Sequence, residues 1–348
     1  MAKKIVLLMV LIGLTGILTT TNVWAEPDPV AIQKLYEAAK AEGEVLWQTG
    51  GRLKQILPVA KDFEKKYPGI KVKAFSSSAS GIATRLITEA AAGKLSLDVG
   101  ETMTHLVLPL LERDLLIKND WTKTSDVDPD LILADGRTVI YGDHCPVWVY
   151  NTNLVSENDI PRTWDDILAP EWQGSKISVR AMGAAVGGLF PAWKKDPQKI
   201  ETYLENLAKQ KPLPGQRYSM VMSRVATGET PLGIVMGAEV PLRQGEGAPI
   251  KVLPISPTAN AAMVNWMPKG SPHPNAAKLL LSWLVSKEGS KSRTEATKGG
   301  YAYPPDASPL AKLLHDNNIE YYRISVDEGD KYISYSRIVE DLLGFTIK

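Results

Sequence analysis

A short apolar strand, a glycine turn and a helix open the part of the sequence that decides the fold. The stretch reads Glu44-Val45-Leu46-Trp47-Gln48-Thr49-Gly50-Gly51-Arg52. The mostly apolar run from Glu44 to Gln48 predicts a strand, and the paired glycines predict a turn. Arg52 begins a predicted helix that continues to about Tyr67, where Pro68-Gly69 ends it.

The same order of elements occurs on both sides of this stretch. Residues 30–42 predict a helix that Gly43 stops. Residues 70–75 alternate as a strand and lead through a serine run into a helix that ends near Ala92. Residues 95–99 are predicted as a third strand, from which residues 100–102 lead into another helix. Repetition of strand, turn and helix is typical of a parallel α/β sheet.

The second part of the chain repeats this pattern. Strands are predicted over 147–150, 176–179, 232–235, 250–254 and 262–266, and helices over 183–193, 197–209, 220–226 and 274–284. The chain therefore contains two α/β blocks of similar size. Sheets of this kind bind ligands at the carboxyl ends of their strands, where turns and helix N-termini offer free N–H groups. Two such sheets facing each other predict a cleft that encloses a small solute.

The composition excludes several classes of protein. The 348 residues carry 40 Lys and Arg against 39 Asp and Glu, a net charge of +1, so the basic surface of a nucleic-acid binder is not expected. Hydrophobic residues at 44% and charged residues at 23% are typical of a globular protein. The single cysteine, Cys145, permits no intrachain disulfide and no cysteine-based zinc spacing. Nucleophile, metalloprotease and phosphate-loop motifs are lacking, so neither an enzyme nor a cofactor or metal site is predicted.

The first 25 residues predict a secretory signal peptide. Lys3 and Lys4 precede an apolar run over residues 5–18, and Val23-Trp24-Ala25 ends the segment with small residues around a cleavage position. The apolar run is shorter than the roughly 20 residues that a membrane-spanning helix needs. We therefore expect cleavage after Ala25 and an exported, soluble, periplasmic protein.

Several stretches resemble one family in the order in which they occur. They are Leu35-Tyr36-Glu37-Ala38-Ala39-Lys40-Ala41-Glu42-Gly43, Phe63-Glu64-Lys65-Lys66-Tyr67-Pro68-Gly69-Ile70-Lys71-Val72, Tyr150-Asn151-Thr152, Pro161-Arg162-Thr163-Trp164-Asp165-Asp166-Ile167-Leu168, Glu171-Trp172-Gln173-Gly174-Ser175-Lys176-Ile177, Gly228-Glu229, Lys269-Gly270-Ser271-Pro272-His273-Pro274-Asn275-Ala276-Ala277-Lys278 and Ser286-Lys287-Glu288-Gly289. With them the chain resembles the periplasmic solute-binding proteins of ATP-driven (ABC) importers. The resemblance is greatest to the group that includes the ferric-iron binders, and it covers most of residues 30–300.

The resemblance implies a two-lobed periplasmic binding protein fold of type II, with mostly parallel sheets flanked by helices. Lobe 1 would comprise residues 26–146 and 259–300, and lobe 2 residues 147–258 and 301–348. Two hinge strands, near 143–147 and 254–258, would join the lobes and allow closure around a ligand. The implied partners are a small-molecule ligand and an inner-membrane ABC permease with its cytoplasmic ATPase, and the protein is expected to act as a monomer.

The resemblance also places certain loops in the cleft, and with them a set of candidate ligand-binding residues. These are Gly51, Arg52, Ser77, Ser78, Ser80, Glu101, Thr102, Tyr141, His144, Arg180, Gly183, Ala184, Tyr218 and Met236. Arg180 stands at the carboxyl end of a predicted strand beside a helix that begins with glycine. By contrast, His105, His273 and His315 fall in helices or turns and are expected to be structural or solvated.

The ligand is expected to be a small anion, with ferric iron as the alternative. The iron-binding relatives carry two adjacent tyrosines ahead of the late amphipathic helix, but between Arg217 and Trp266 this sequence has only Tyr218. The pair Tyr321-Tyr322 comes too late to match. Arginine, serine hydroxyls and helix N-termini suit a carboxylate, a phosphate ester or a phosphonate. A sensor partner that presents its ligand to a membrane receptor is an alternative of another class.

Overall fold

The computed structural model describes residues 26–180, 186, 189, 196–302 and 306–342. The predicted signal peptide, Gly183 and Ala184 lie outside the described residues. The helices are α1 Pro29–Glu42, α2 Leu53–Lys66, α3 Ala79–Ala91, α4 Leu108–Glu112, α5 Pro197–Lys209, α6 Tyr218–Thr227, α7 Val240–Gly245, α8 Pro274–Leu284, α9 Lys287–Thr297, α10 Pro309–Asp316 and α11 Gly329–Leu342. The strands are β1 Glu44–Thr49, β2 Lys71–Ser76, β3 Val99–Met103, β4 Ile132–Leu133, β5 Thr138–Gly142, β6 Pro146–Asn151, β7 Ile177–Arg180, β8 Leu213–Gly215, β9 Leu232–Met236, β10 Ile250–Val252, β11 Thr258–Asn260, β12 Met263–Trp266 and β13 Tyr321–Arg323.

Local signals explain why several of these elements begin and end where they do. The Asp28 side chain accepts a hydrogen bond from the Val30 N–H at 2.9 Å and so caps the start of α1. Gly43 ends that helix in the left-handed region, with φ of 77°. Ser78 caps α3 by accepting from the Gly81 N–H. Helix α2 retains Pro58 in its interior.

The strands form two mixed sheets and one short ladder. The first sheet has the order β2-β1-β3-β12-β5-β4, and the second has the order β10-β6-β9-β7-β8. In the first sheet β1 runs parallel to both neighbours, whereas β12 runs antiparallel to β3 and β5. In the second, β7 runs parallel to β8 and β9, and β6 runs antiparallel to its neighbours. Strands β11 and β13 pair in parallel outside both sheets.

Each sheet is covered by apolar side chains on both faces. In β5, Val139 and Tyr141 belong to the core beneath α1, α2 and α8, whereas Ile140 belongs to the core beneath α3 and α4. In β6, Trp148 and Val149 likewise enter different cores. This alternation follows from the two-residue period of a strand and explains the apolar runs of strands buried on both sides.

The third predicted strand lies four residues later than the sequence indicated. Residues 95–99 were expected to pair, but β3 runs from Val99 to Met103, so Glu101 and Thr102 lie inside the strand rather than in a loop after it. Gly100 was expected to follow the strand. It is needed within the strand, since a Cβ there would lie 2.1 Å from Cη2 of Trp266 on neighbouring β12.

Two passages of the chain connect strands of one sheet to strands of the other. The chain leaves the first sheet after β5 and enters the second at β6, through residues 143–145. It returns after β10 through β11 to β12, which lies between β3 and β5. Cys145 on the first passage is fully buried, and burial raises the pKa of its thiol. None of the helices in the described part of the chain has the length and apolar character needed to cross a membrane.

Candidate functional site between the two sheets

The predicted ligand residues fall into separate clusters, and the first is built on Glu101. This carboxylate is 1% exposed in the middle of the first sheet. It accepts hydrogen bonds from Trp47 Nε1 (3.1 Å), Thr49 Oγ1 (2.6 Å), Gly50 N (3.1 Å), Tyr141 OH (3.0 Å) and Arg293 Nη2 (2.9 Å). Five donors fill the roughly four lone-pair positions of a carboxylate. The geometry therefore gives Glu101 and Tyr141 a structural role, and neither enters the site that we propose below.

Arg293 is the residue of this cluster that sequence reasoning missed. Its guanidinium lies 3.8 Å from the ring centroid of Tyr141 and 5.4 Å from that of Trp47. Burial is the largest single effect and would lower the pKa of Arg293, but the charge and hydrogen bond of Glu101 act together with Tyr141 and Tyr301 and raise it. The two residues are 192 positions apart in the chain, and no local pattern in the sequence links them.

The serine loop after β2 makes its hydrogen bonds within the protein. The Ser77 N–H donates to the Thr49 carbonyl at 3.1 Å, and Ser78 caps α3. Ser80 lies 3.4 Å from Ser78, between the two hydroxyl oxygens. The Gly51 N–H donates to Thr49 Oγ1 at 3.0 Å. These bonds shape the loop at the carboxyl ends of β1 and β2.

Arg52 comes within ion-pair distance of a residue from the other sheet. Its Nη2 lies 3.9 Å from Oε1 of Glu239, which follows β9. The Arg52 side chain is 73% exposed, so the pair contributes at most about 1 kcal/mol to stability. The contact nevertheless shows that the strand ends of the two sheets face each other.

Two further predicted residues are buried among protein side chains. Thr102 is 2% exposed, and its Oγ1 accepts from Trp266 Nε1 at 3.2 Å. Met236 is 8% exposed as the last residue of β9 and belongs to the second sheet's core.

A second cluster brings together three of the predicted residues at the passage between the sheets. The Arg180 guanidinium, at the carboxyl end of β7, lies 4.8 Å from the ring centroid of Tyr218. The rings of Tyr218 and His144 are 6.2 Å apart in an edge arrangement. Two residues that sequence reasoning did not assign to the site lie nearby, since His105 interacts electrostatically with His144, and Tyr332 with Tyr218 and Arg180. The rings of His105 and Tyr332 are themselves 5.2 Å apart. We call these five residues the inter-sheet site.

The inter-sheet site carries positive charge and unused hydrogen-bonding capacity. The Arg180 Nε and the Tyr218 hydroxyl are both buried and have no hydrogen-bond partner of acceptable geometry in the described part of the chain. No carboxylate among the described residues lies within ion-pair distance of Arg180. Tyr218 is also the first residue of α6, and no side chain caps that helix. Buried donors without partners are costly, so this arrangement favours an anion that accepts from them.

Burial and the arginine charge fix the protonation states of the site. Burial lowers the pKa of His105 to about 4, and burial together with Arg180 lowers that of His144 to about 4. Burial raises the pKa of Tyr218 to about 12, with Arg180 opposing it, and burial also raises the pKa of Tyr332. At neutral pH both imidazoles are uncharged and both phenols keep their protons. Arg180 is then the charged group among the five residues.

Within the described ranges, no group of three or more His, Cys, Asp or Glu side chains is arranged so that it could hold a metal ion. His273 has a structural position, because its N–H and Nδ1 both lie 2.8 Å from oxygens of the buried Asp98. His105 occupies a short 3-10 turn, as expected, and its ring contacts that of Tyr332.

Comparison with known proteins identifies the family. The family model of bacterial extracellular solute-binding proteins matches residues 59–317, and the chain belongs to this family. Membership of an extracellular family implies a location outside the cytoplasm. No sequence of a curated protein matches the chain significantly.

Solved structures show the same fold. Iron-bound HitA from Pseudomonas aeruginosa is 20% identical with a TM-score of 0.70, over 85% of this chain and 99% of that one. The substrate binding protein of an ABC transporter from Agrobacterium tumefaciens is 16% identical with a TM-score of 0.68, over 87% and 97%. The periplasmic binding protein AfuA from Actinobacillus pleuropneumoniae, bound to fructose-6-phosphate, is 16% identical with a TM-score of 0.64, over 84% and 97%. These findings confirm the predicted resemblance and the α/β periplasmic binding protein fold.

Proposed function

We propose that the protein is the periplasmic solute-binding component of an ABC importer and that it captures a small anionic solute at the inter-sheet site. The observation that carries the anion proposal is the pair of buried donors without partners, Arg180 Nε and the Tyr218 hydroxyl. A carboxylate, phosphate ester or phosphonate accepts hydrogen bonds from both and neutralises the guanidinium. The uncapped start of α6 adds a favourable dipole.

Closure by hinge motion belongs to the same proposal. Every strand of the first sheet lies within residues 26–146 and 259–300, and the strands of the second lie within 146–252. Two chain passages between the sheets support two lobes that rotate about them. The lobe boundaries, the signal peptide with cleavage after Ala25, and the monomeric state stay predictions. The permease and the cytoplasmic ATPase are the partners that this class of protein implies.

The test of the anion proposal is the variant Arg180→Ala, measured by isothermal titration with inorganic phosphate, fructose 6-phosphate and citrate. Hydrogen bonds to charged groups contribute about 1.5–3 kcal/mol each, so we expect the dissociation constant of the bound anion to rise roughly 10- to 100-fold. Arg113→Ala is the matched control, because Arg113 is exposed and donates to the Pro109 carbonyl of the adjoining helix α4. Unchanged affinity in Arg180→Ala would refute the proposal.

Ferric iron is the second candidate because phenol and imidazole groups converge at the site. Tyr218, Tyr332, His105 and His144 supply oxygen and nitrogen donors of the kinds that bind this ion. Addition of Fe³⁺ to the purified protein then produces a visible phenolate charge-transfer band that citrate removes. A colourless titration excludes this candidate.

Deletion of the gene distinguishes an importer component from a sensor partner. Without an importer component the cell loses uptake of the bound solute, whereas without a sensor partner it does not.

A further inference from the structure

The last described segment of the chain contacts the cores of both halves of the molecule. Val326 packs against the core beneath α3 and α4, which belongs to the first sheet. Tyr335 and Ile338, on α11, pack against a core of the second sheet. Fewer than ten residues thus separate anchors in two different cores. Residues beyond 317 also lie outside the part of the chain that the family model matches.

Tyr332 lies between these anchors and next to the passage between the sheets. It is 5% exposed and packs against Ala259 of β11, which is part of the second passage, and against Ile324. Its ring contacts His105 at 5.2 Å between centroids, with the ring planes inclined by 53°. Tilted aromatic pairs at this distance are stabilising.

The start of α11 also touches the backbone of the turn that carries His105. A Cβ on Gly329 would lie 2.9 Å from the Cα of His105 and 3.0 Å from its carbonyl oxygen. This distance is too short for any side chain, so glycine permits the close approach of the two segments. Two contacts therefore join α11 to the short turn Thr104–Leu106 of the first half.

We propose that α11 is a strap that holds the two halves in their closed arrangement through the contact of Tyr332 with His105. The proposal rests on the hinge closure proposed above. When the halves rotate apart, α11 cannot keep its contacts with both of them. In this proposal Tyr335 and Ile338 keep the helix on the second core, and the contact with the turn Thr104–Leu106 is the one that separates. Opening the site to release a ligand then requires separation of Tyr332 from His105, and this contact shifts the population towards the closed form.

The experiment compares ligand-free protein, dialysed to remove any bound solute, as wild type, Tyr332→Ala and Tyr332→Phe. Small-angle X-ray scattering gives the radius of gyration, and hydrogen exchange gives the protection of the amides of Thr104–Leu106. In Tyr332→Ala we expect a larger radius and roughly two- to tenfold faster exchange in that turn. Tyr332→Phe keeps the ring and is expected to behave as wild type. Lys331→Ala is the matched control, because Lys331 is exposed on the same helix.

His105→Ala removes the same contact from the other side and leaves α11 unchanged. It is expected to reproduce the larger radius, and the double variant is expected to add nothing further. If Tyr332→Ala raises exchange throughout both cores, that variant is destabilised as a whole. The radius of gyration of His105→Ala then tests whether the contact holds the two halves together. A wild-type radius and wild-type exchange in both single variants would overturn the strap. The anion proposal would be untouched by that result, because Arg180→Ala tests it separately.

Discussion

Arg293 and Glu101 form an ion pair inside the first sheet's core, 2.9 Å apart between Nη2 and Oε1, with side-chain exposures of 7% and 1%. Glu101 stands in β3 and Arg293 in α9, so the pair joins the sheet to a helix that follows the second passage. A buried carboxylate with five donors fixes the relative positions of β1, β3, β5 and α9.

The first prediction concerns the loss of this pair. Arg293→Ala leaves the Glu101 charge buried without its cation, and we expect the free energy of unfolding to fall by about 3–5 kcal/mol. Urea unfolding followed by circular dichroism measures the change. Lys291→Ala on the same helix is the control, because the Lys291–Glu295 pair is exposed and contributes less than about 1 kcal/mol. A loss as small as that of the control would mean that Arg293 does not hold Glu101.

The second prediction concerns the close approach at Gly100. In Gly100→Ala the new methyl group overlaps the ring of Trp266, which is fully buried. We expect a loss of about 1–3 kcal/mol or more in the free energy of unfolding. Gly245→Ala is the control, since a Cβ there meets no atom within 4 Å. Equal stability of the two variants would contradict the observed position of β12.

The third prediction concerns the dependence of stability on pH. The pKa values of His105 and His144 are lowered to about 4, whereas unfolded histidine titrates near 6.5. Between these two pKa values the unfolded chain binds more protons than the folded chain. The stability that the two uncharged histidines contribute is therefore complete above about pH 6.5 and is lost as the pH falls towards about 4. For His105 the loss is at most about 3 kcal/mol.

The measurement is urea unfolding at about pH 7 and about pH 4.5. His105→Gln is expected to reduce the difference between the two conditions. His315→Gln serves as the control, because that side chain is 66% exposed at the end of α10. The prediction fails if His105→Gln and wild type lose the same stability.

The fourth prediction concerns the single thiol. Cys145 is 0% exposed, and burial, aided by the charge of Asp143, raises its pKa. Because the thiolate is the reactive form, we expect no reaction with a disulfide reagent in the native protein and one equivalent after unfolding in guanidinium chloride. Rapid reaction of the native protein would show that the first passage opens to solvent.

Elements with local signals could be predicted from the sequence, and contacts across the chain could not. Helix α1 was expected to begin at Val30 and begins at Pro29. Prediction and structure agree to within one residue because an aspartate cap and a terminal glycine define the helix within the segment itself. Helix α8 was predicted with its observed bounds from its apolar pattern. By contrast, the position of β3 depends on Trp266, more than 150 residues later, which makes Gly100 a packing requirement rather than a turn.

The same limit applies to the inter-sheet site. Arg180 was predicted from its position at a strand end and Tyr218 from the family resemblance, and the structure places the Arg180 guanidinium 4.8 Å from the ring centroid of Tyr218. Their role in ligand binding stays a prediction. His105 and Tyr332 lacked any such signal, because only the path of the terminal segment brings them together. Glu101 was assigned to the ligand because it was expected to follow the third strand, and the donors that surround it come from three distant parts of the chain.

The place of β12 between β3 and β5 has a consequence for biosynthesis. A chain made only as far as β6 contains five strands of the first sheet and lacks β12, which lies between β3 and β5. Glu101 then still lacks its arginine, which follows later than β12. The amino-terminal half therefore cannot complete its core until nearly the whole polypeptide has been made.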